Sequence, residues 1–89
     1  MWPDAKLFHY RTRAGAEVDF VLEVGRDLWG IEVKASRQVA KQDGSGLASL
    51  AGRASRLTRQ IIVFLGSRAQ QVGKLEVIPL SEFLVSLPA

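Results

Sequence analysis

The sequence predicts one small α/β domain built on a mixed β-sheet, and three features carry that prediction. Residues 17–24 and 28–35 alternate apolar and polar side chains at the two-residue period of a strand. Leu47, Leu50, Ala51, Ala54 and Leu57 recur at helical spacing. Residues 61–65 are an unbroken apolar run, which suits a strand covered on both faces and reached through a right-handed crossover.

The elements follow in chain order. Residues 6–12 carry the β-favouring Phe8, Tyr10 and Thr12 among polar residues, and Arg13-Ala14-Gly15-Ala16 reads as a turn. In the second strand, 17–24, the expected faces are Val18, Phe20, Leu22 and Val24 against Glu17, Asp19, Val21 and Glu23. Gly25-Arg26 is the right length for a two-residue hairpin loop, with glycine at the position that a type II′ turn requires. The third strand then places Trp29, Ile31, Val33 and Ala35 on one side, and Gly30, Glu32 and Lys34 on the other.

A polar stretch, 36–45, leads into the amphipathic helix, with Arg53, Arg56 and Arg59 off its apolar stripe. The buried strand 61–65 comes next, then a loop over 67–74 and a short strand over 75–78. Pro79 closes that strand. Ser81 is placed to cap a last helix that turns Phe83, Leu84 and Leu87 inward. The predicted order is β-β-β-α-β-β-α.

Composition agrees with a folded chain. Of 89 residues, 47% are hydrophobic and 24% charged, which is unlike a disordered polypeptide. One domain over 1–89 is expected, and the abrupt opening close to a strand suggests a piece of a longer protein. The lack of cysteine excludes disulfides and thiolate metal sites. No apolar run approaches the ~18 residues of a membrane span, and there is no signal-peptide pattern, so a cytoplasmic location without membrane contact is expected. A net charge of +3 is a mild attraction for polyanions.

The hairpin fixes a register. Antiparallel partners continuing from Val24 and Asp27 set Asp19 opposite Glu32 and Glu17 opposite Lys34. Like charges directly across a ladder are unfavourable unless a cation, a shared proton or solvent relieves them. A hard divalent cation, Mg (or Mn), takes one or two carboxylates plus water and phosphate oxygens, which Asp19 and Glu32 offer, with the Val33 carbonyl and Glu17 as further ligands. Lys34 would orient the attacking water or stabilise charge on phosphorus. By spacing alone, however, the pattern reads first as the solvated face of a half-covered sheet, with Glu17 and Lys34 as a salt pair of little worth.

A family resemblance shifts that balance. The runs Phe8-His9-Tyr10-Arg11-Thr12-Arg13, Gly15-Ala16-Glu17-Val18-Asp19-Phe20-Val21 and Gly30-Ile31-Glu32-Val33-Lys34-Ala35-Ser36, with Gly46-Leu47 through Leu50, resemble the C-terminal domain of bacterial and archaeal predicted AAA-type ATPases. That domain of unknown function is similar to the PD-(D/E)xK nuclease superfamily. The resemblance implies a restriction-endonuclease-like core, a metal-dependent nuclease activity and an ATPase domain in the same longer chain. It maps the superfamily's acid onto Asp19, its second acid onto Glu32 and its lysine onto Lys34, with Glu17 as the acid that precedes the first. Val18 stands where the motif has proline.

Three functions are therefore weighed: a Mg-dependent nucleic-acid phosphodiesterase, an inactive nuclease-fold module that binds nucleic acid or protein and regulates the ATPase, and, ranked last, a plain structural interaction domain. Arg11, Arg13, Arg53 and Arg56 are the candidate nucleic-acid contacts. Arg11 and Arg13 could equally balance the acidic patch, and the helix arginines more often form a solvated face. His9, without a companion ligand, reads as a strand residue, and no Walker-type sequence is present. Exposed strand edges would invite a homodimer.

Overall fold

The structure is a computed structural model that describes residues 6–11 and 17–86. The turn expected over 13–16, Thr12 and Leu87 lie outside them. The elements are β1 (Lys6–Arg11), β2 (Glu17–Val24), β3 (Asp27–Lys34), a 3-10 turn (Lys41–Gly44), α1 (Ser45–Ala51), β4 (Leu57–Phe64), β5 (Gln70–Val72), β6 (Leu75–Pro79) and α2 (Leu80–Ser86). The strands form one six-stranded sheet in the order β1-β2-β3-β4-β6-β5. The class is mixed α/β as expected, but the order differs by the extra strand β5.

The sheet is antiparallel across β1, β2 and β3 and parallel across β3, β4 and β6, while β5 returns antiparallel to β6. Each face is covered by one helix. On the first face, Leu47 and Leu50 of α1 pack with Val18, Val21, Ile62, Phe64 and Val77. On the second, Ile31, Ile61 and Val63 are buried, with Leu22, Ile78 and Phe83 of α2 packed against them. The alternation of β4 between these two clusters explains its unbroken apolar run: every side chain from Ile61 to Phe64 has a layer to enter.

The β2–β3 hairpin matches the prediction from the turn to Phe20, whereas the expected pairings of Asp19 with Glu32 and Glu17 with Lys34 are not part of the ladder, since the Asp19 carboxylate takes the Val33 amide there. Val24 lies opposite Asp27, and the register runs unshifted to Phe20 opposite Ile31. Gly25 has φ +59°, while no non-glycine residue among those described has positive φ, so the turn has the glycine-first conformation read from the sequence. The same device makes the strand that was expected to be a loop. Gly73, at φ +60°, and Lys74 link Val72 to its partner Leu75.

Several expectations are corrected. β2 does not alternate throughout, because Phe8 pairs with Val21 and Tyr10 with Val18, three residues along β2 for two along β1. This bulge at Asp19 and Phe20 turns both Val18 and Val21 towards α1 and leaves Phe20 41% exposed. The predicted long helix is shorter, α1 ending at Ala51. Arg53 and Arg56 lie in the following turns, and Arg59 belongs to β4, which starts at Leu57 rather than Ile61. Ser81 is inside α2, not its cap, and Leu84 is 58% exposed instead of inward. Among the described residues, no helix is long and apolar enough to cross a membrane.

Candidate functional site

β3 is the strand from which the site is built, since it joins the antiparallel and parallel halves of the sheet. Its residues Gly30, Glu32 and Lys34 share the face covered by α1: a Cβ on Gly30 would meet Leu47 Cδ2 at 2.7 Å. Glycine here lets α1 sit down on the sheet near the middle of the strand. Further along β3, Glu32 lies beside Ile62 and Lys34 beside Phe64, at the carboxyl end of the parallel strands. Both are partly exposed.

Asp19 reaches this strand from the bulge of β2. The amide of Val33, which in an unbroken ladder would face Val18, donates to Asp19 Oδ2 at 2.8 Å. A charged acceptor makes this a strong bond, and it sets the Asp19 carboxylate beside the backbone between Glu32 and Lys34. The Asp19, Glu32 and Lys34 set is thus carried by adjacent stretches of two paired strands. Glu17 has its backbone opposite Arg11 of β1. Arg13 lies outside the described residues.

A further acid, not singled out from the sequence, completes the local charge arrangement. Asp43, in the 3-10 turn before α1, accepts from the Ala40 amide through Oδ2 at 2.7 Å, and its Oδ1 lies 3.3 Å from Lys34 Nζ. The Ala40 amide, then the Lys34 ammonium, hold its carboxyl below the ordinary value of 3.8 against a partial desolvation that opposes them. Its signal in the sequence was an acid just before an apolar helix, a common helix-start feature.

Two of the arginines expected to meet nucleic acid, Arg53 and Arg56, lie in the turns between α1 and β4. Arg56 donates from Nε to the Arg26 carbonyl at 2.7 Å, and its other nitrogen bonds Glu23 Oε2 at 3.2 Å, pinning the β2–β3 turn. That turn is at the start of β3, roughly 23 Å along the strand from Lys34 at ~3.3 Å per residue. Arg59 grips Glu76 through two hydrogen bonds of 3.0 and 2.8 Å and lies 4.5 Å over the Trp29 ring. Glu76 raises the Arg59 pKa, so this is a structural strap across β3, β4 and β6.

Comparison with known families now bears on this arrangement, because a family model, "Domain of unknown function (DUF4143)", matches residues 2–83. The chain belongs to the DUF4143 family. The match spans both strands of the site, Asp43 and most of α2. No curated protein and no solved structure matches the chain.

The donors in this DUF4143 domain suit a hard cation in kind. Carboxylates from Asp19 and Glu32, with the neighbouring backbone carbonyl of Val33, are the oxygen-only set that magnesium accepts, with water completing its shell. Among the described residues, no group of three His, Cys, Asp or Glu side chains is arranged to hold a metal.

Proposed function

We propose that this DUF4143 domain is a Mg- or Mn-dependent nucleic-acid phosphodiesterase that works beside an ATPase domain in the same longer chain. The observation that supports this best is the Val33 amide to Asp19 carboxylate bond of 2.8 Å, which brings the first acid onto the strand bearing Glu32 and Lys34. The resemblance to PD-(D/E)xK nucleases supplies the reaction class and the ATPase context.

In this reading Asp19 and Glu32 hold the cation, with the Val33 carbonyl beside them. When bound, the cation supplies charge neutralisation at the phosphate and acidifies water. Lys34 orients the attacking water and stabilises the negative charge that grows on the phosphoryl oxygens. Water adds to phosphorus and releases a proton to solvent, one ester P–O bond breaks, and the leaving oxygen takes up a proton from solvent. Asp43 acts through Lys34, holding the ammonium with one carboxylate oxygen while the other accepts from the Ala40 amide.

A second reading draws on the same pair. An ammonium already neutralised by Asp43 at 3.3 Å suits a nuclease-fold module that binds without turnover and regulates its ATPase. A magnesium titration followed by backbone NMR, comparing wild type with Asp19→Asn, separates the two. The phosphodiesterase reading expects shifts confined to Asp19, Glu32 and Val33 that Asp19→Asn abolishes, and cleavage by the ATPase-linked protein that Lys34→Ala removes. Absence of local shifts at millimolar magnesium, or full cleavage by Lys34→Ala, would favour the binding module.

A further inference from the structure

Two exposed arginines stand at the end of the sheet that carries the candidate site. β3, β4 and β6 run parallel, so their carboxyl ends form one edge, the edge at which open α/β sheets bind ligands. Glu32 and Lys34 stand there. Two loops leave the same edge, residues 35–40 after β3 and residues 65–69 after β4. They are tied together by a bond from the Leu65 amide to the Ser36 carbonyl of 2.9 Å.

Each tied loop carries one exposed arginine, Arg37 in the first and Arg68 in the second. Neither makes an ion pair with another described residue. Towards the opposite edge, Arg56 is paired with Glu23 and Arg59 with Glu76, while Arg26 and Arg53 are exposed there as well. The strand ends that carry the candidate site thus also carry unneutralised guanidinium groups on a braced backbone.

We propose that Arg37 and Arg68 form a phosphate-binding rim that holds a nucleic-acid backbone across the edge where Asp19, Glu32 and Lys34 lie. The proposal rests on the reading that the substrate is nucleic acid and adds the groups that would seat it. Guanidinium forks match phosphate oxygens in pairs, and arginines that are hydrated in the free protein bind a polyanion with release of its counterions. The Leu65–Ser36 bond ties the two loop backbones together, so the separation of the two arginines is set by β3 and β4.

The test uses the whole chain and labelled single-stranded DNA and RNA oligonucleotides, with fluorescence anisotropy at several salt concentrations and no divalent metal. The double variant Arg37→Glu/Arg68→Glu is expected to lose about tenfold or more in affinity. Its plot of log affinity against log salt should flatten by about 1.4, the value for two lost single-strand phosphate contacts. Lys74→Glu, in the turn before β6 at the other edge, should change affinity less than about twofold at the same salt. Arg37→Gln/Arg68→Gln serves if the reversal variant fails to fold.

Wild-type affinity in the double variants, an equal loss in Lys74→Glu, or no binding of either oligonucleotide by the wild type would each overturn the rim. A magnesium titration of the double variant keeps the two ideas apart. Local shifts at Asp19 with oligonucleotide binding lost support the rim. Missing shifts in the wild type count against the phosphodiesterase alone, because the anisotropy measurement needs no metal.

Discussion

Asp43 shows how one side chain can serve fold and site together. One oxygen closes the 3-10 turn on the Ala40 amide, and the other holds Lys34. Asparagine keeps an acceptor for the amide and discards the charge, whereas alanine discards both. Asp43→Ala is therefore expected to lower the melting temperature more than Asp43→Asn at neutral pH, and both should release Lys34, visible as a change in its side-chain NMR shifts. The folded pKa is lowered, so the carboxylate's stabilisation is complete above 3.8 and fades as pH falls through the folded value. Melting curves of wild type and Asp43→Ala should accordingly converge in acid. Divergence on acidification would contradict the assignment.

The strands and helices divide into those whose cause is local and those whose cause is not. The β2–β3 hairpin could be read directly, because a glycine-led two-residue turn and clean alternation on β3 fix its register. The β5–β6 hairpin carries the same Gly-Lys signal at Gly73, but its three strand residues are exposed and polar enough to resemble a loop. The β2 bulge leaves no local mark, since an extra residue opposite β1 is decided by how the two strands pair and not by the residues of β2 alone. That bulge is why Asp19, Glu32 and Lys34 could be named from the sequence while the way Asp19 meets β3 could not. The helix was overextended because Ala54 and Leu57 keep the apolar spacing after Gly52 ends α1. For α1 the decisive contact is its descent onto Gly30. Gly30→Val would drive a branched side chain into Leu47, and an overpacking cost of about 1–3 kcal/mol is expected in urea unfolding. An unchanged midpoint would show that α1 is free to lift.

For the molecule as a whole, the order β1-β2-β3-β4-β6-β5 separates the chain into a local antiparallel half and a parallel half with longer-range pairings. Those pairings depend on crossovers, so neither the position of β6 beside β4 nor the edge role of β5 could be read from element patterns alone. The short β5 forms one edge and β1 the other, which limits the surface open to strand addition. Both acids and the lysine of the site sit on β2 and β3, within the half built from local pairings. The loops bearing Arg37 and Arg68 come together only once β4 has paired with β3.

The bond between Asp19 and Val33 also makes one backbone proton an internal gauge of the carboxylate. The Val33 side chain is 50% exposed, and its amide is held by Asp19 where a ladder partner would otherwise stand. Anything that draws Asp19 away, whether a cation, a proton or a substitution, should therefore quicken deuterium uptake at that amide, while those of Ile61 and Ile62 in the centre of the sheet stay slow. Exchange at Val33 that ignores both Asp19→Asn and added magnesium would mean that the carboxylate does not govern this amide. Otherwise, a single peak reads the state of the site without a substrate, a label or a known reaction.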